Sequence, residues 1–291
     1  MSDTPVNLSS LSESELDVLE RKIAGKYMHR VPWGVVVWGI GNLVVWLSLW
    51  PLVLMEILPL WLGFIIATLN LALSYLPSHE AQHNIIASKG QRFRWINELV
   101  GHLSTIPLVL PYRMLRYTHY EHHAHTNDPL LDPDYNVHAS SDWQFLRKSI
   151  MNRQPRSGRS DAYPNTLKRI GNDHMLLDAL IFQGVYLIVM FTLAWSGYAI
   201  EAALLWWIPK QIATTYIEYY LSWAPHHPGK ARSRYKDTRG FRSNLGNLLS
   251  MGMQFHIIHH LYPKIPLSLT PAAYRELKPI LQHRGCDLGQ L

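Results

Sequence analysis

A single cysteine, Cys286, in a chain of 291 residues excludes an internal disulfide framework and any metal site built on several thiolates. Charge is scarce too: Asp, Glu, Lys and Arg make up 16% of the residues, against about 25% in ordinary soluble domains. There is no aromatic-basic stripe, internal repeat or low-complexity tract, so the formal net charge of +6 implies no nucleic-acid partner. The first 30 residues include Glu13, Glu15, Asp17 and Glu20 and no short apolar core, so a removable secretory leader is not expected there.

Long apolar runs are what the chain does have. A mean hydropathy of −0.05 conceals them, because polar blocks alternate with the runs. One hairpin is expected over about 31–76, from Val31 to Met55 and from Ile57 to Leu76, and a second over about 176–223, from Leu176 to Trp195 and from Tyr198 to Trp223. Each limb meets the roughly 20 apolar residues that a bilayer-spanning helix needs. Four core helices of a soluble all-α protein would seldom stay apolar on every face for so long. Trp33, Trp46, Trp50, Trp61, Trp195, Trp206, Trp207 and Trp223 lie toward the ends of the runs, as interfacial anchors do.

Of the 27 Lys and Arg, only Lys210 lies inside a run. The others fall in the N-terminal segment 1–30, in the block 77–175 and after residue 224, which the positive-inside rule places in the cytoplasm together with both termini. Arg153 to Arg159 reads as a mobile loop of that cytoplasmic side. The expected architecture is a single all-α integral membrane domain: four transmembrane helices in two hairpins, and a cytoplasmic helical cap formed by 77–175 and 224–291.

Histidine is concentrated in that cap. His79-Glu80-Ala81-Gln82-His83 matches the H-E-x-x-H pattern of zinc peptidases, in which two His one turn apart hold a metal and the Glu activates water. The chain also contains His119, His122 and His123; His226 and His227; and His256, His259 and His260. Spacing of i, i+3, i+4 puts three imidazoles on one helical stripe. Two such stripes, the first pair and one His of the remaining group give nine convergent imidazoles. That exceeds the four ligands of a tetrahedral zinc and suits two metal ions. Imidazole without thiolate, at a site that must leave room for oxygen, points to iron. His29, His102, His138, His174 and His283 stand apart from these spacings and read as interface residues.

With those boxes the chain resembles the integral-membrane fatty acid desaturase and hydroxylase superfamily, whose three His boxes surround two irons on the cytosolic face of four helices. His79/His83, His119/His122/His123 and His256/His259/His260 are the matching residues. The resemblance implies a ninth ligand between the last span and the third box, placed on His226 with His227 as alternate. The flanking words His125-Thr126-Asn127-Asp128, Pro225-His226-His227-Pro228 and HIIHHLYPKIP resemble the cyanobacterial type of carotenoid β-ring hydroxylase. The activity implied by the resemblance is an O2-dependent di-iron oxidation of an unactivated C–H bond, on a carotenoid ring or, as the rival, by desaturation or hydroxylation of a fatty acyl chain. It requires two iron ions (Fe2+/Fe3+), O2 as co-substrate and an external electron donor, a ferredoxin or similar carrier, at the basic surface of Arg232, Arg234, Lys236 and Arg239. The location implied is a bacterial inner membrane, crossed several times. A metal-bound His passes its second N–H to a carboxylate or carbonyl; Asp128 is the first candidate, ahead of Glu121, Asp132, Asp134 and Asp237. An intramembrane zinc peptidase would need a second motif around a ligating Asp, which Leu131-Asp132-Pro133-Asp134 only faintly suggests.

Overall fold

The computed structural model describes residues 7–154 and 161–291, and among these every regular element is helical. Of the loop expected over Arg153–Arg159, all but Arg153 and Gln154 lies outside the described residues. The polar N-terminal segment forms α1 (Glu13–Gly25), started by a capping box in which Ser12 and Glu15 satisfy each other's backbone N–H groups. Three helices have the length and hydropathy to cross a bilayer: α2 (Trp33–Leu54), α3 (Leu60–Gln82) and, beyond four shorter helices, the stretch Asp173–Trp195. The shorter ones are α4 (Arg94–Ser104), α5 (Tyr112–His125), α6 (Asp142–Asn152) and α7 (Ala162–Arg169); α8 (Leu176–Trp195) comes next.

α8 is apolar all round and almost unburied: only 6% of its span is covered by the rest of the chain. Leu180, Ile181, Val185, Ile188 and Phe191 are all exposed, an apolar surface of the extent that a membrane-facing helix presents. α3 is the hub by contrast, packed by α2 and α4 and by the helical run 203–217, and half buried along its span. Gly101 of α4 leaves room for the ring of Tyr112, the first residue of α5, with which a Cβ there would collide.

The expected fourth run takes another form. α9 (Ala199–Ala202), a π-helical stretch Ala203–Trp207, α10 (Ile208–Ile217) and a second π-helical stretch Glu218–Trp223 succeed one another without a break, and Glu201, Lys210 and Glu218 interrupt the apolar pattern. π turns insert extra residues into a helix and often mark functional sites. The Trp positions divide as well. Trp33, Trp61, Trp195 and Trp207 are exposed as anchors should be, but Trp46, Trp206 and Trp223 are buried. Trp46 and Trp206 pack edge to face at 4.9 Å, and the three indoles donate to the carbonyls of Leu205, Pro107 and Ala139. Apolar bulk with one satisfiable N–H suits a core between helices as well as an interface, which is why position in the run misassigned them.

The C-terminal block adds three short helices, α11 (Gly246–Leu249), α12 (His256–Leu261) and α13 (Thr270–His283). α13 lies on α1, where the Arg284 guanidinium reaches Glu13 and Asp17, and buried Glu20 accepts from Tyr235 and Tyr262 at 3.1 and 2.6 Å. The first and last parts of the chain thereby close one apolar cluster beneath α12.

Candidate metal centre

Four elements carry the histidines. α3 ends on His79 and His83, α5 presents His119, His122 and His123, the turn after the second π stretch carries His226, and α12 presents His256, His259 and His260. The end of α3 is held in place by groups outside the boxes. Tyr112 Oη and Asn97 Nδ2 donate to the Ala81 carbonyl at 2.9 and 3.0 Å, and Tyr120 Oη donates to the Gln82 carbonyl at 2.5 Å. Lys264, just past α12, donates to the His83 carbonyl at 2.6 Å. Sequence inspection passed over Tyr112, Asn97 and Lys264; for Lys264 alone, its place directly after the third box was an available signal.

The nine rings converge in two sets. His79, His83, His119 and His259 bring their donor atoms within 4.8 Å of one another, and so do His122, His226, His256 and His260. His123 stands between the sets: its Nε2 lies 3.1 Å from those of His119 and His259, and its ring stacks on His260 with centroids 4.1 Å apart. Burial holds His119, His123, His256, His259 and His260 well below the ordinary imidazole pKa, and burial beside His122 pushes His226 down to about 3. These six are therefore neutral, as metal ligands must be. His122 goes the other way. Burial alone would lower it, but the charge and hydrogen bond of Asp132 outweigh that and raise it to about 9.

The donor set tests whether a metal fits. His122 Nδ1 faces Asp132 Oδ1 at 2.8 Å and His226 Nδ1 faces the Asp237 carbonyl at 3.3 Å, so each ring keeps a proton on Nδ1. Their Nε2 atoms then confront each other at 3.2 Å. Two facing lone pairs repel unless a cation sits between them. Both nitrogens of His79, Nδ1 of His259 and Nε2 of His260 are buried with no hydrogen-bond partner among the described residues, which costs roughly 1–3 kcal/mol per group if left so. Two metal cations ligated mainly by imidazole answer both observations.

The partners of these rings differ from expectation. Asp132, not Asp128, orients His122; it also accepts from the backbone N–H of Asn127 and of Asp134, both at 2.9 Å. Asn127 adopts φ +65, a left-handed turn that carries the chain back beneath α5, so the nearer Asp128 is swung outward. There it caps the turn at Leu130 and Leu131 and pairs with Arg232 at 2.9 Å. Glu121 pairs with Arg169 at 3.0 Å, away from the clusters. Asp237 contributes its carbonyl; its buried carboxyl, pushed up to about 6 by burial, touches no ring. His227 packs on Trp223 and faces the Ala139 carbonyl at 3.1 Å, which leaves His226 as the converging member of the pair.

Glu80 does not occupy a peptidase base position. Its Oε1 accepts the Leu267 N–H at 2.6 Å, tying the segment after α12 to the first box, and Oε2 is buried. Beside the rings lies a cavity of about 440 Å³, reached by His79, His119, His122 and His256 and walled by Met114, Leu115, Leu176, Ile217 and Leu221 together with Asp134, Tyr163, Arg153 and Glu218. Tyr163 Oη and Ser222 Oγ donate to the Asp134 carboxyl at 2.8 and 3.2 Å.

Comparison with known proteins agrees with this geometry. Residues 55–289 match the family model described as fatty acid desaturase. Fatty acid conjugase FAC2 A of Calendula officinalis is 25% identical over 249 residues, which cover 71% of this chain and 64% of the conjugase. An sn-1 oleoyl-lipid 12-desaturase of Synechocystis sp. is 39% identical over 54 residues, 19% of this chain and 14% of the desaturase. Zeaxanthin 4-ketolase of Chlamydomonas reinhardtii is 34% identical over 62 residues, 21% of this chain and 13% of the ketolase.

Proposed function

Because the chain belongs to the fatty acid desaturase family, we propose that its two four-histidine clusters, with His123 between them, hold two iron ions and that it oxidises an unactivated C–H bond of a lipid. The observation that carries this reading is the convergence of nine imidazoles, six of them held neutral by burial, in sets whose ring nitrogens face one another. Bound iron would supply the capacity to use O2 and externally delivered electrons for that oxidation. The protein's part is to hold nine rings in place. Asp132 orients His122 through Nδ1, the Asp237 carbonyl does the same for His226, and Glu80 and Lys264 tie the third box to the end of α3. The apolar wall of the cavity would align a lipid chain beside the clusters and exclude water from them.

We infer a fatty acyl chain as the substrate, since a fatty acid conjugase is among the relatives that align over 71% of this chain. This displaces the carotenoid ring expected from the words around the boxes. The ring is the second reading, supported by the short stretch similar to a zeaxanthin ketolase. The rest of the proposal concerns placement. The helical run Ala199–Trp223 makes a fourth crossing of a bacterial inner membrane, both termini and the boxes face the cytoplasm, and a ferredoxin or similar carrier docks at Arg232, Arg234, Lys236 and Arg239.

Expression in a bacterium that makes β-carotene, with lipid and pigment extracts analysed together, tests the substrate. New unsaturated, conjugated or hydroxylated acyl chains are expected. Polar xanthophylls beside unchanged acyl chains would transfer the assignment to the ring. One zinc per purified chain, with peptide hydrolysis lost in Glu80→Gln, would overturn the oxidative reading altogether.

A further inference from the structure

The cavity beside the histidines is not walled by apolar groups alone. Arg153, at the end of α6, and Glu218, which opens the second π stretch, share its lining. Arg153 Nη1 donates to Glu218 Oε2 at 3.1 Å and to Ser149 Oγ at 2.9 Å, and its Nη2 donates to Thr215 Oγ1 at 2.6 Å. Ser149 Oγ also meets Glu218 Oε2. Fastening α6 to the helix would not need charge, because an ion pair taken out of water seldom adds stability over apolar packing. Ionisable groups within membrane helices are rare, face the interior and mark substrate paths.

Charge decides what such a station accepts. The guanidinium has five N–H donors, and the bonds just given leave some of them without a protein partner among the described residues. Glu218 neutralises the cation, and Asp134, on the same wall, is a carboxyl held by Tyr163 and Ser222. An anionic head therefore gains no net attraction, whereas a neutral oxygen can accept from Arg153 or donate to Glu218. The helix links the station to the metal centre. Glu218 and Ser222 belong to the same π stretch, four residues apart, and both line the cavity. Ser222 bonds Asp134, whose backbone N–H meets Asp132, the partner of His122.

We propose that the Arg153–Glu218 pair receives a neutral oxygen of the lipid substrate, an ester carbonyl or a hydroxyl, and so sets which carbon is brought to the histidines. This rests on the reading of the cavity as the place where a lipid is oxidised. Free carboxylates and unsubstituted hydrocarbons are disfavoured.

The test is binding to the full-length, iron-loaded protein in detergent, read by tryptophan fluorescence, with methyl oleate, oleate, 1-octadecene, zeaxanthin and β-carotene as probes. Methyl oleate is expected to bind about tenfold more tightly than oleate or 1-octadecene, the scale of one hydrogen bond to a charged group. That gap without one between zeaxanthin and β-carotene assigns the ester; a gap between the two carotenoids alone assigns the hydroxyl. Glu218→Gln leaves the guanidinium uncompensated and is expected to improve oleate about tenfold. The neutral pair R153Q/E218Q should level the probes, and it carries the test if the single variant fails to fold. Wild-type preference for oleate, or the same rank order in wild type and variants of unchanged melting temperature, would overturn the proposal. Binding needs no turnover, so the expected rank order without any oxidised product would count against the oxidation reading and leave the station standing.

Discussion

Asp132→Asn isolates the contact on which the second histidine cluster depends. Asp132 is 8% exposed and serves three donors: His122 Nδ1 and the Asp134 N–H at Oδ1, and the Asn127 N–H at Oδ2. An amide has one accepting atom. If its oxygen stays with His122 and Asp134, its NH2 points at the Asn127 N–H, and donor meets donor. If it flips, the NH2 confronts His122 and favours the tautomer with the proton on Nε2, the atom that should face the metal. Either way one hydrogen bond to a charged group is lost, about 1.5–3 kcal/mol, which is roughly a tenfold to hundredfold loss in affinity. The same range is typical for removing a carboxylate behind a metal-bound histidine. Iron affinity, measured by competition with a chelator of known strength, is the assay, and Asp128→Asn is the control. Asp128 sits one residue past the turn, bonds an exposed arginine and reaches no ring, so its variant should hold iron as the wild type does. Iron retained by Asp132→Asn and lost by Asp128→Asn would refute the assignment of the orienting carboxylate.

Alanine at His79, His83, His119, His122, His123, His226, His256, His259 or His260 should abolish lipid oxidation, whereas alanine at His29, His174 or His283 should not; full activity in two of the nine would break the ligand set. Purified protein should carry about two irons per chain, and stripping them with a chelator should lower the melting temperature, because nothing but a proton can then sit between the facing nitrogens of His122 and His226, 3.2 Å apart; an unchanged melting temperature would remove the argument from facing lone pairs. Gly101→Ala should destabilise the fold by about 1–3 kcal/mol, the usual range for overpacking, since its methyl would meet the Tyr112 ring that supports Ala81; thermal unfolding in detergent reads this, and a neutral result would mean that α4 can shift. Glu80→Leu should reduce iron content more than Glu80→Gln does, because glutamine can still accept the Leu267 N–H; equal iron content in the two would show that the tie is dispensable.

Much of this was legible before any coordinates. Apolar length and the helical spacing of histidine are periodic, local signals, so α2, α3 and α8, the triads of α5 and α12 and the pair that ends α3 could be read directly. Composition excluded thiolate ligands because the chain has a single Cys. Other features depend on where the chain turns and what it packs against. Proximity in sequence favoured Asp128, but the left-handed turn at Asn127 delivered Asp132 to His122. The resemblance placed the ninth ligand on His226 with His227 as alternate, but that only His226 joins a cluster, while His227 turns to the Ala139 carbonyl, depends on how the chain folds after the second π stretch. Trp46 and Trp206 read as interface anchors by position and proved to be core, since only packing distinguishes two environments that suit the same indole. The pairing of Arg153 with Glu218 had no signal at all: the two are 65 residues apart, and a salt bridge between separate helices has no period to reveal it.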